Sequence, residues 1–141
     1  MPGKPSGKAP SKKSIIEHIQ AHLADELASL SGSPDSGVGA RAAEIEKQLV
    51  MFRFLPLRDY SGPGEVAVPS ALVELEFGGR EAFYFLVPSG GGLVMRIEER
   101  PVQVITPQSP LGVAVMGRKA GDEIDVQVGG GVRRYRVKSI S

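Results

Sequence analysis

The sequence contains no cysteine and no tryptophan, and aromatic residues make up only 6% of its 141 residues. Without cysteine the chain forms no disulfide, has no thiol chemistry and offers no cysteine ligand to a metal ion. Because aromatic residues are few, the core must consist mainly of Val, Leu, Ile and Ala, and a hydrophobic content of 41% is sufficient for one. The length suits one domain, or one small domain with an appendage.

Excess charge and long apolar runs are lacking as well. The 17 Lys and Arg residues balance 16 Asp and Glu residues, for a formal net charge of +1. Such a charge gives no global basic field for binding duplex nucleic acid. No apolar run approaches the roughly 18 residues of a membrane helix, and the N-terminal lysines are not followed by a hydrophobic region. We therefore expect a cytoplasmic protein that makes no membrane contact.

Catalytic and metal-binding patterns are also missing. The two histidines, His18 and His22, are four residues apart and share one helix face, so they could form a metal pair with Asp25 or Glu26. Since the spacing fixes no third ligand, we favour a polar helix flank. The chain contains no nucleophile elbow, and neither triple-glycine turn precedes the Lys-Ser/Thr of a phosphate loop. The sequence thus predicts no enzyme, no metal and no cofactor.

The N-terminal residues 1–13 contain three prolines, two glycines and four lysines but no acid. This composition cannot bury enough apolar surface to offset the entropy lost on ordering, so it predicts a disordered basic tail. The alternative is a basic arm that contacts nucleic acid or an acidic protein surface.

Two apolar stripes at helical spacing predict an antiparallel helical hairpin within residues 14–60. The first helix covers residues 14–30, with Ser14 as N-cap and Glu17 completing a capping box. A breaker cluster at residues 31–37 separates it from a second helix over 38–55. At ~1.5 Å per residue each arm is roughly 25 Å long, a hairpin rather than a long coiled coil. The stripes comprise Ile15, Ile19, Leu23, Leu27 and Leu30, then Ala42, Ile45, Leu49 and Phe52.

A β domain is predicted over residues 65–141, after a linker at 57–64 that is rich in glycine and proline. Alternating residues and glycine turns indicate a mostly antiparallel sheet with one short helix, so the fold class is α+β. The last strand places Arg134, Arg136 and Lys138 on one face, as a basic docking surface or an ordinary solvated face. The predicted strands cover residues 72–77, 80–87, 93–97, 102–105, 124–128 and 132–140.

The segment 106–128, TPQSPLGVAVMGRKAGDEIDVQV, predicts a loop, a short helix, a turn and a strand. Ser109 is a favourable N-cap, and Pro110 suits the first helical position, where its missing N–H costs nothing. Gly117 can adopt the left-handed conformation that ends a helix. The apolar stripe of the helix is Leu111, Val115 and Met116, and the cations at its negative end are Arg118 and Lys119.

Within this segment, SPLGVAVMGRKAGDEIDV resembles the C-terminal signature of bacterial Gre-type transcript cleavage factors. In that family a Ser-Pro-hydrophobic helix start leads into a Gly-Lys turn, an acidic pair and a strand. The resemblance implies a C-terminal domain similar in fold to the FK506-binding proteins, which docks at the rim of the RNA polymerase secondary channel while the hairpin enters it. The polymerase-docking residues that it implies are Ser109, Pro110, Leu111, Gly117, Arg118, Lys119, Asp122 and Glu123.

The hairpin tip departs from the family pattern. Two acids at the family tip, an Asp and a Glu three residues later, help to hold a catalytic Mg²⁺ in the polymerase active centre. Asp35 matches the Asp, but Val38 stands at the second position and cannot bind Mg²⁺. The resemblance then implies an elongation factor that modulates transcription without efficient cleavage, like short-hairpin relatives such as the regulator of nucleoside diphosphate kinase. Contact with DNA or RNA is expected only through the transcription complex.

Two other functions remain open at this stage. A fold similar to the FK506-binding proteins suggests peptidyl-prolyl isomerase activity, which needs an aromatic-lined apolar pocket. A structural interaction module that dimerises through the hairpin stripes is the other possibility, and the sequence does not fix the oligomeric state. The aromatic candidates for such a pocket are Phe77, Phe83, Tyr84, Phe85 and Tyr135.

Overall fold

The computed structural model describes residues 9–30, 36–62 and 64–141. Two compact units are present: a hairpin unit, Lys12–Pro56, and a sheet unit that includes Leu57–Ser141. Two helices precede a six-stranded sheet that carries one short helix, which confirms the α+β class. Within the described ranges, neither long helix has enough consecutive apolar sequence to cross a bilayer. Residues 1–8 of the predicted tail and Asp35 of the predicted tip lie outside the described residues.

The hairpin unit consists of α1, Lys12–Leu30, and α2, Ser36–Phe54. Five residues of its apolar stripes are buried as predicted, since Ile15, Ile19 and Leu23 of α1 are less than 9% exposed and so are Ile45 and Phe52 of α2. The other four are half-buried: Leu27, Leu30, Ala42 and Leu49. The two helices also exchange a bidentate ion pair, in which Arg41 donates to both Glu26 oxygens at 2.8 and 2.9 Å. Apolar stripes at period 3.6 therefore identified both helices.

The predicted start of α1 was wrong by two residues. The helix begins at Lys12, so Ser14 lies in its first turn and is not the N-cap residue that the proposed capping box with Glu17 requires. Lysine is a good helix former, and Ser11, immediately before Lys12, is of the residue type that favours the N-cap position. The Ser14 carbonyl is instead 2.9 Å from the Nδ1 of His18.

The sheet unit contains six strands in the order β3-β4-β2-β1-β6-β5. The β2–β4 pair is parallel and the other four pairs are antiparallel. A two-residue turn, Glu98-Glu99, joins β3 to β4, so β4 begins two residues earlier than predicted. The strands are β1 (Leu72–Phe77), β2 (Arg80–Leu86), β3 (Val94–Ile97), β4 (Arg100–Ile105), β5 (Glu123–Val128) and β6 (Gly131–Ile140).

The main core of the sheet unit lies on one face of the sheet, which we call the inner face. Val73, Leu75 and Val137 point to this face, where they pack with Val115 of the short helix α3, Pro110–Val115. Each of these four side chains is at most 1% exposed. The alternation that the sequence predicted for β1 and β6 therefore directs the core side chains.

The outer face of β1 is more buried than its sequence suggests. Glu74 lies on that face and is only 5% exposed, and its carboxylate accepts a hydrogen bond from the Ser139 hydroxyl at 3.2 Å. Burial raises the pKa of the Glu74 carboxyl above its ordinary value; the hydrogen bond from Ser139 opposes the rise, and the nearby Glu81 carboxylate adds to it. The charged form of Glu74 is therefore disfavoured in the folded chain.

The ends of α3 have the geometry that the sequence predicted. The Ser109 hydroxyl accepts from the Gly112 amide at 3.1 Å and donates to the Thr106 carbonyl at 2.8 Å. Gly117, just past the helix, has a φ of +78°, and the Arg118 guanidinium donates to the Ala114 carbonyl at 3.3 Å. The predicted N-cap, left-handed glycine and C-terminal cation are thus confirmed.

Gly112 has a structural role that its sequence context did not indicate. A Cβ atom built at this position would lie 1.7 Å from the Thr106 carbonyl oxygen. Real Cβ atoms do not approach other atoms so closely, so any larger residue must displace either the helix or the loop before it. The first turn of α3 can pack against the Thr106 loop only because residue 112 is glycine.

Substituting Gly112 by Ala should lower the free energy of unfolding by about 2 kcal/mol or more, because the new methyl group overlaps a backbone carbonyl. Gly130→Ala is the matched control, since no atom lies within 4 Å of a Cβ at Gly130, and it should change stability by less than about 0.5 kcal/mol. Urea unfolding followed by circular dichroism measures both values. Equal stability of the two variants would contradict the close contact.

Substituting Glu74 by Gln should raise the free energy of unfolding at pH 7. A raised folded-state pKa means that the wild type loses stability as the pH rises above the unfolded pKa of glutamate, about 4.3. The difference in the free energy of unfolding between Glu74→Gln and the wild type should therefore shrink as the pH falls toward 4. Glu76→Gln, two residues along the same strand, is the control, and a destabilised Glu74→Gln protein at pH 7 would contradict the assignment.

Candidate functional site

Backbone hydrogen bonds join the 106–128 unit to the segment before β1 and to β6. The amide of Gly117 donates to the Ala67 carbonyl, and the amide of Ala67 donates to the Arg118 carbonyl, both at 2.8 Å. A second pair joins the turn to β6, because Gly121 donates to the Val137 carbonyl and Val137 donates to the Asp122 carbonyl, also at 2.8 Å. These four bonds hold the turn after α3 in one position relative to the sheet.

Several of the predicted docking residues have internal roles in this unit. The Ser109 hydroxyl caps α3, and Gly117 supplies its left-handed end. The Asp122 carboxylate accepts from the Lys119 amide at 3.0 Å and so closes the turn before β5. Leu111 is partly buried against the core. These residues shape the surface of the unit.

Other residues of the unit are exposed and could contact a partner. Pro110 and Glu123 are exposed, as are Arg118 and Lys119 directly after α3. Val113 is 64% exposed, and it lies one helical turn beyond Pro110 on α3. Sequence reasoning missed Val113, although its position off the apolar stripe of α3 indicated that it faces outward.

The candidate metal residues give no complete site. His18 and His22 are both exposed on α1, and the described part of the chain contains no group of three His, Cys, Asp or Glu side chains that could hold a metal ion. Val38, which the resemblance aligns with the second acid of the tip, is half-buried in the first turn of α2. Its isopropyl side chain offers no ligand atom.

The cations of β6 lie on the outer face beside carboxylates. Arg134 donates to both oxygens of Asp125, at 2.9 and 3.4 Å, and this guanidinium lowers the pKa of the Asp125 carboxyl. Lys138 pairs with Glu81, and Arg136 stands opposite Glu76 and Glu123 in the strand register. The face is balanced in charge, which favours the interpretation of an ordinary solvated strand face.

An open groove of about 450 Å³ occupies the inner face beside the β1–β2 turn. Three of the five aromatic candidates meet there, whereas Phe83 and Phe85 point to the outer face and are at most 3% exposed. We call this cavity the aromatic groove. Its lining comprises Phe77, Tyr84 and Tyr135, the apolar Leu75, Ala82 and Pro101, and Gly78, Arg80, Glu81 and Arg133.

The rings of the aromatic groove hold an arginine side chain in place. The Arg133 guanidinium lies 4.5 Å from the centre of the Phe77 ring and donates to the Tyr135 hydroxyl at 3.3 Å. The Phe77 and Tyr135 rings are 5.6 Å apart and tilted by 47°. Burial raises the pKa of the Tyr84 phenol, which keeps it neutral. Isomerase activity stays an alternative function that the fold resemblance suggests.

Comparison with known sequences identifies relatives of the sheet unit. The family described as "Transcription elongation factor, GreA/GreB, C-term" matches residues 68–141. Transcription elongation factor GreA of Syntrophus aciditrophicus is 30% identical over 97 residues, which cover 69% of this chain and 56% of that protein. GreA of Thermotoga neapolitana is 38% identical over 56 residues, 31% of this chain and 36% of that protein.

A solved structure is also similar to this chain. The GreA factor homolog 1 (Gfh1) protein of Thermus thermophilus matches at 24% identity, with 92% of this chain and 87% of that chain covered and a TM-score of 0.45.

The family match covers residues 68–141 of this chain. It contains every strand of the sheet and the whole 106–128 unit. The chain spans about half the length of the curated GreA proteins it matches, between 36% and 62%. Since the matched residues 68–141 make up more than half of the sequence, the chain belongs to the GreA/GreB family of transcription elongation factors.

Proposed function

We propose that this chain binds RNA polymerase at its secondary channel, through the 106–128 unit, and modulates transcription elongation. One observation carries the proposal: the family match includes the whole 106–128 unit, whose capped helix presents exposed side chains on a rigid support. The relatives that it matches are named as transcription elongation factors. Contact with DNA or RNA then occurs only through the transcription complex.

The exposed residues of the unit suit a protein partner. Val113 and Pro110 supply an apolar contact on α3, and Arg118 and Lys119 supply positive charge at its C-terminal end. An apolar centre beside charged residues is typical of protein interfaces. The cations favour an acidic partner surface and should make association depend on salt. Because backbone bonds already fix the turn, binding loses little conformational entropy there.

The hairpin argues against efficient transcript cleavage as part of this function. Mg²⁺ requires several hard oxygen ligands in octahedral geometry, and the sequence offers Asp35 but no acid at Val38. A single carboxylate supplies only part of such a site. We therefore propose a factor that occupies the channel without acting as an enzyme and that competes there with cleavage-competent relatives.

Substituting Val113 by Asp should weaken retention of RNA polymerase on the immobilised protein at least about tenfold, because a charge replaces the apolar contact. Val94→Asp is the matched control: Val94 is 66% exposed and Val113 is 64% exposed, but Val94 lies on β3, outside the unit. Retention should stay within about twofold for the control. Failure of the wild type to retain polymerase at low salt, or equal loss in both variants, would refute the docking proposal.

Adding the wild-type protein to backtracked elongation complexes should not accelerate RNA cleavage above the intrinsic rate of the polymerase, because the tip lacks its second carboxylate. The same protein should slow the reaction when a cleavage-competent family member is present at limiting concentration. Gel analysis of labelled RNA measures both effects. Rapid cleavage by the wild type that disappears in Asp35→Asn would show that one tip carboxylate suffices.

A further inference from the structure

We infer that the aromatic groove binds an acidic peptide segment of a protein partner, with a large apolar side chain inserted between the aromatic residues. The groove is formed by β1, β2, β4 and β6, and none of its lining residues belongs to the 106–128 unit. The inference is therefore independent of the proposed polymerase docking. It assigns a second binding site to the sheet unit.

The size and the floor of the groove suit an apolar side chain. Its volume of about 450 Å³ lies within the range of roughly 300–1,000 Å³ that ligand pockets occupy. Leu75, Tyr84 and Tyr135 form much of an apolar floor, and Leu75 and Tyr135 are also part of the main core. The site is consequently preformed, because the side chains that shape it are fixed by the packing below them.

The charges of the groove favour an anionic partner. Arg80 and Arg133 line it, and neither guanidinium has a carboxylate within ion-pair distance among the residues described. The acid of the lining, Glu81, is paired with Lys138, and that contact lowers the pKa of Glu81. The groove therefore carries net positive charge at its entrance, in contrast to the balanced outer face.

Arg133 is positioned to bind a carboxylate. Its guanidinium is held by the Phe77 ring at 4.5 Å and by the Tyr135 hydroxyl at 3.3 Å. A planar guanidinium forms two parallel hydrogen bonds to a carboxylate, and fixing it beforehand reduces the entropy lost on binding. The apolar floor and the fixed cation together recognise an acidic residue next to a large apolar one.

The ring geometry favours a peptide over a nucleotide. A base needs an open aromatic face on which to stack. One face of the Phe77 ring is already covered by Arg133, and Tyr135 is tilted by 47° from it, so the rings do not form a parallel platform. A large apolar side chain suits such a groove better, because it does not need a parallel stacking platform.

Fluorescence anisotropy with the full chain tests this site directly. The probes are two fluorescein-labelled peptides, GDEFLDEG and its basic counterpart GKKFLKKG. The acidic peptide should bind saturably and at least about tenfold more tightly than the basic one, because opposite charge attracts it to the two arginines. Arg133→Ala should weaken binding of the acidic peptide at least about tenfold, because a charge-assisted bidentate pair is lost.

Arg134→Ala is the matched control, since Arg134 is the next residue of β6, points to the outer face and pairs with Asp125. It should change peptide affinity less than about twofold, because Arg134 does not line the groove. Arg133→Lys, which keeps the charge but loses the planar fork, should bind with intermediate affinity and covers the case in which Arg133→Ala does not fold.

Three outcomes would overturn the inference. The inference is wrong if neither peptide binds, if both peptides bind equally, or if Arg134→Ala weakens binding as much as Arg133→Ala. Tighter binding of adenosine monophosphate than of the acidic peptide, with loss in Arg133→Ala, would assign the groove to a nucleotide instead. None of these measurements involves polymerase, so the docking proposal and the groove are tested separately.

Discussion

The close contact between Gly112 and Thr106 determines how the candidate docking surface is built. Only glycine allows the first turn of α3 to lie against the Thr106 carbonyl, and the Ser109 hydroxyl bridges the same carbonyl to the Gly112 amide. This packing orients α3 so that Val115 enters the core and Val113 faces outward. The position of α3 against the preceding loop therefore depends on that contact.

The sheet separates two surfaces of different chemistry. On its outer face the cations of β6 are matched by carboxylates on neighbouring strands, such as Arg134 with Asp125. On its inner face Arg133 has aromatic partners instead of a carboxylate. Alternation along one strand therefore places a face of balanced charge and a positively charged groove on opposite sides of the sheet.

The sequence predicted those features that depend on local chemistry. Apolar period, capping residues and turn glycines located the three helices and six strands of the described residues, although α1, α2 and β4 each begin two residues before their predicted start. Features that depend on distant residues could not be predicted in this way. The parallel β2–β4 pair is set by tertiary contacts, and burial of Glu74 requires neighbours from β6. The sequence named three aromatic residues of the groove among five candidates, but it did not indicate which of the five meet, because the lining residues come from four strands.

Polymerase docking through the 106–128 unit is the central claim, and site-specific photocrosslinking tests it most directly. A photoreactive phenylalanine analogue is placed at Val113 on α3 or at Val94 on β3, two positions of similar exposure. Docking through the unit predicts a crosslink to a large polymerase subunit from position 113 and none from position 94. Crosslinking from position 94 alone, or from neither position under conditions in which the two proteins associate, would contradict it.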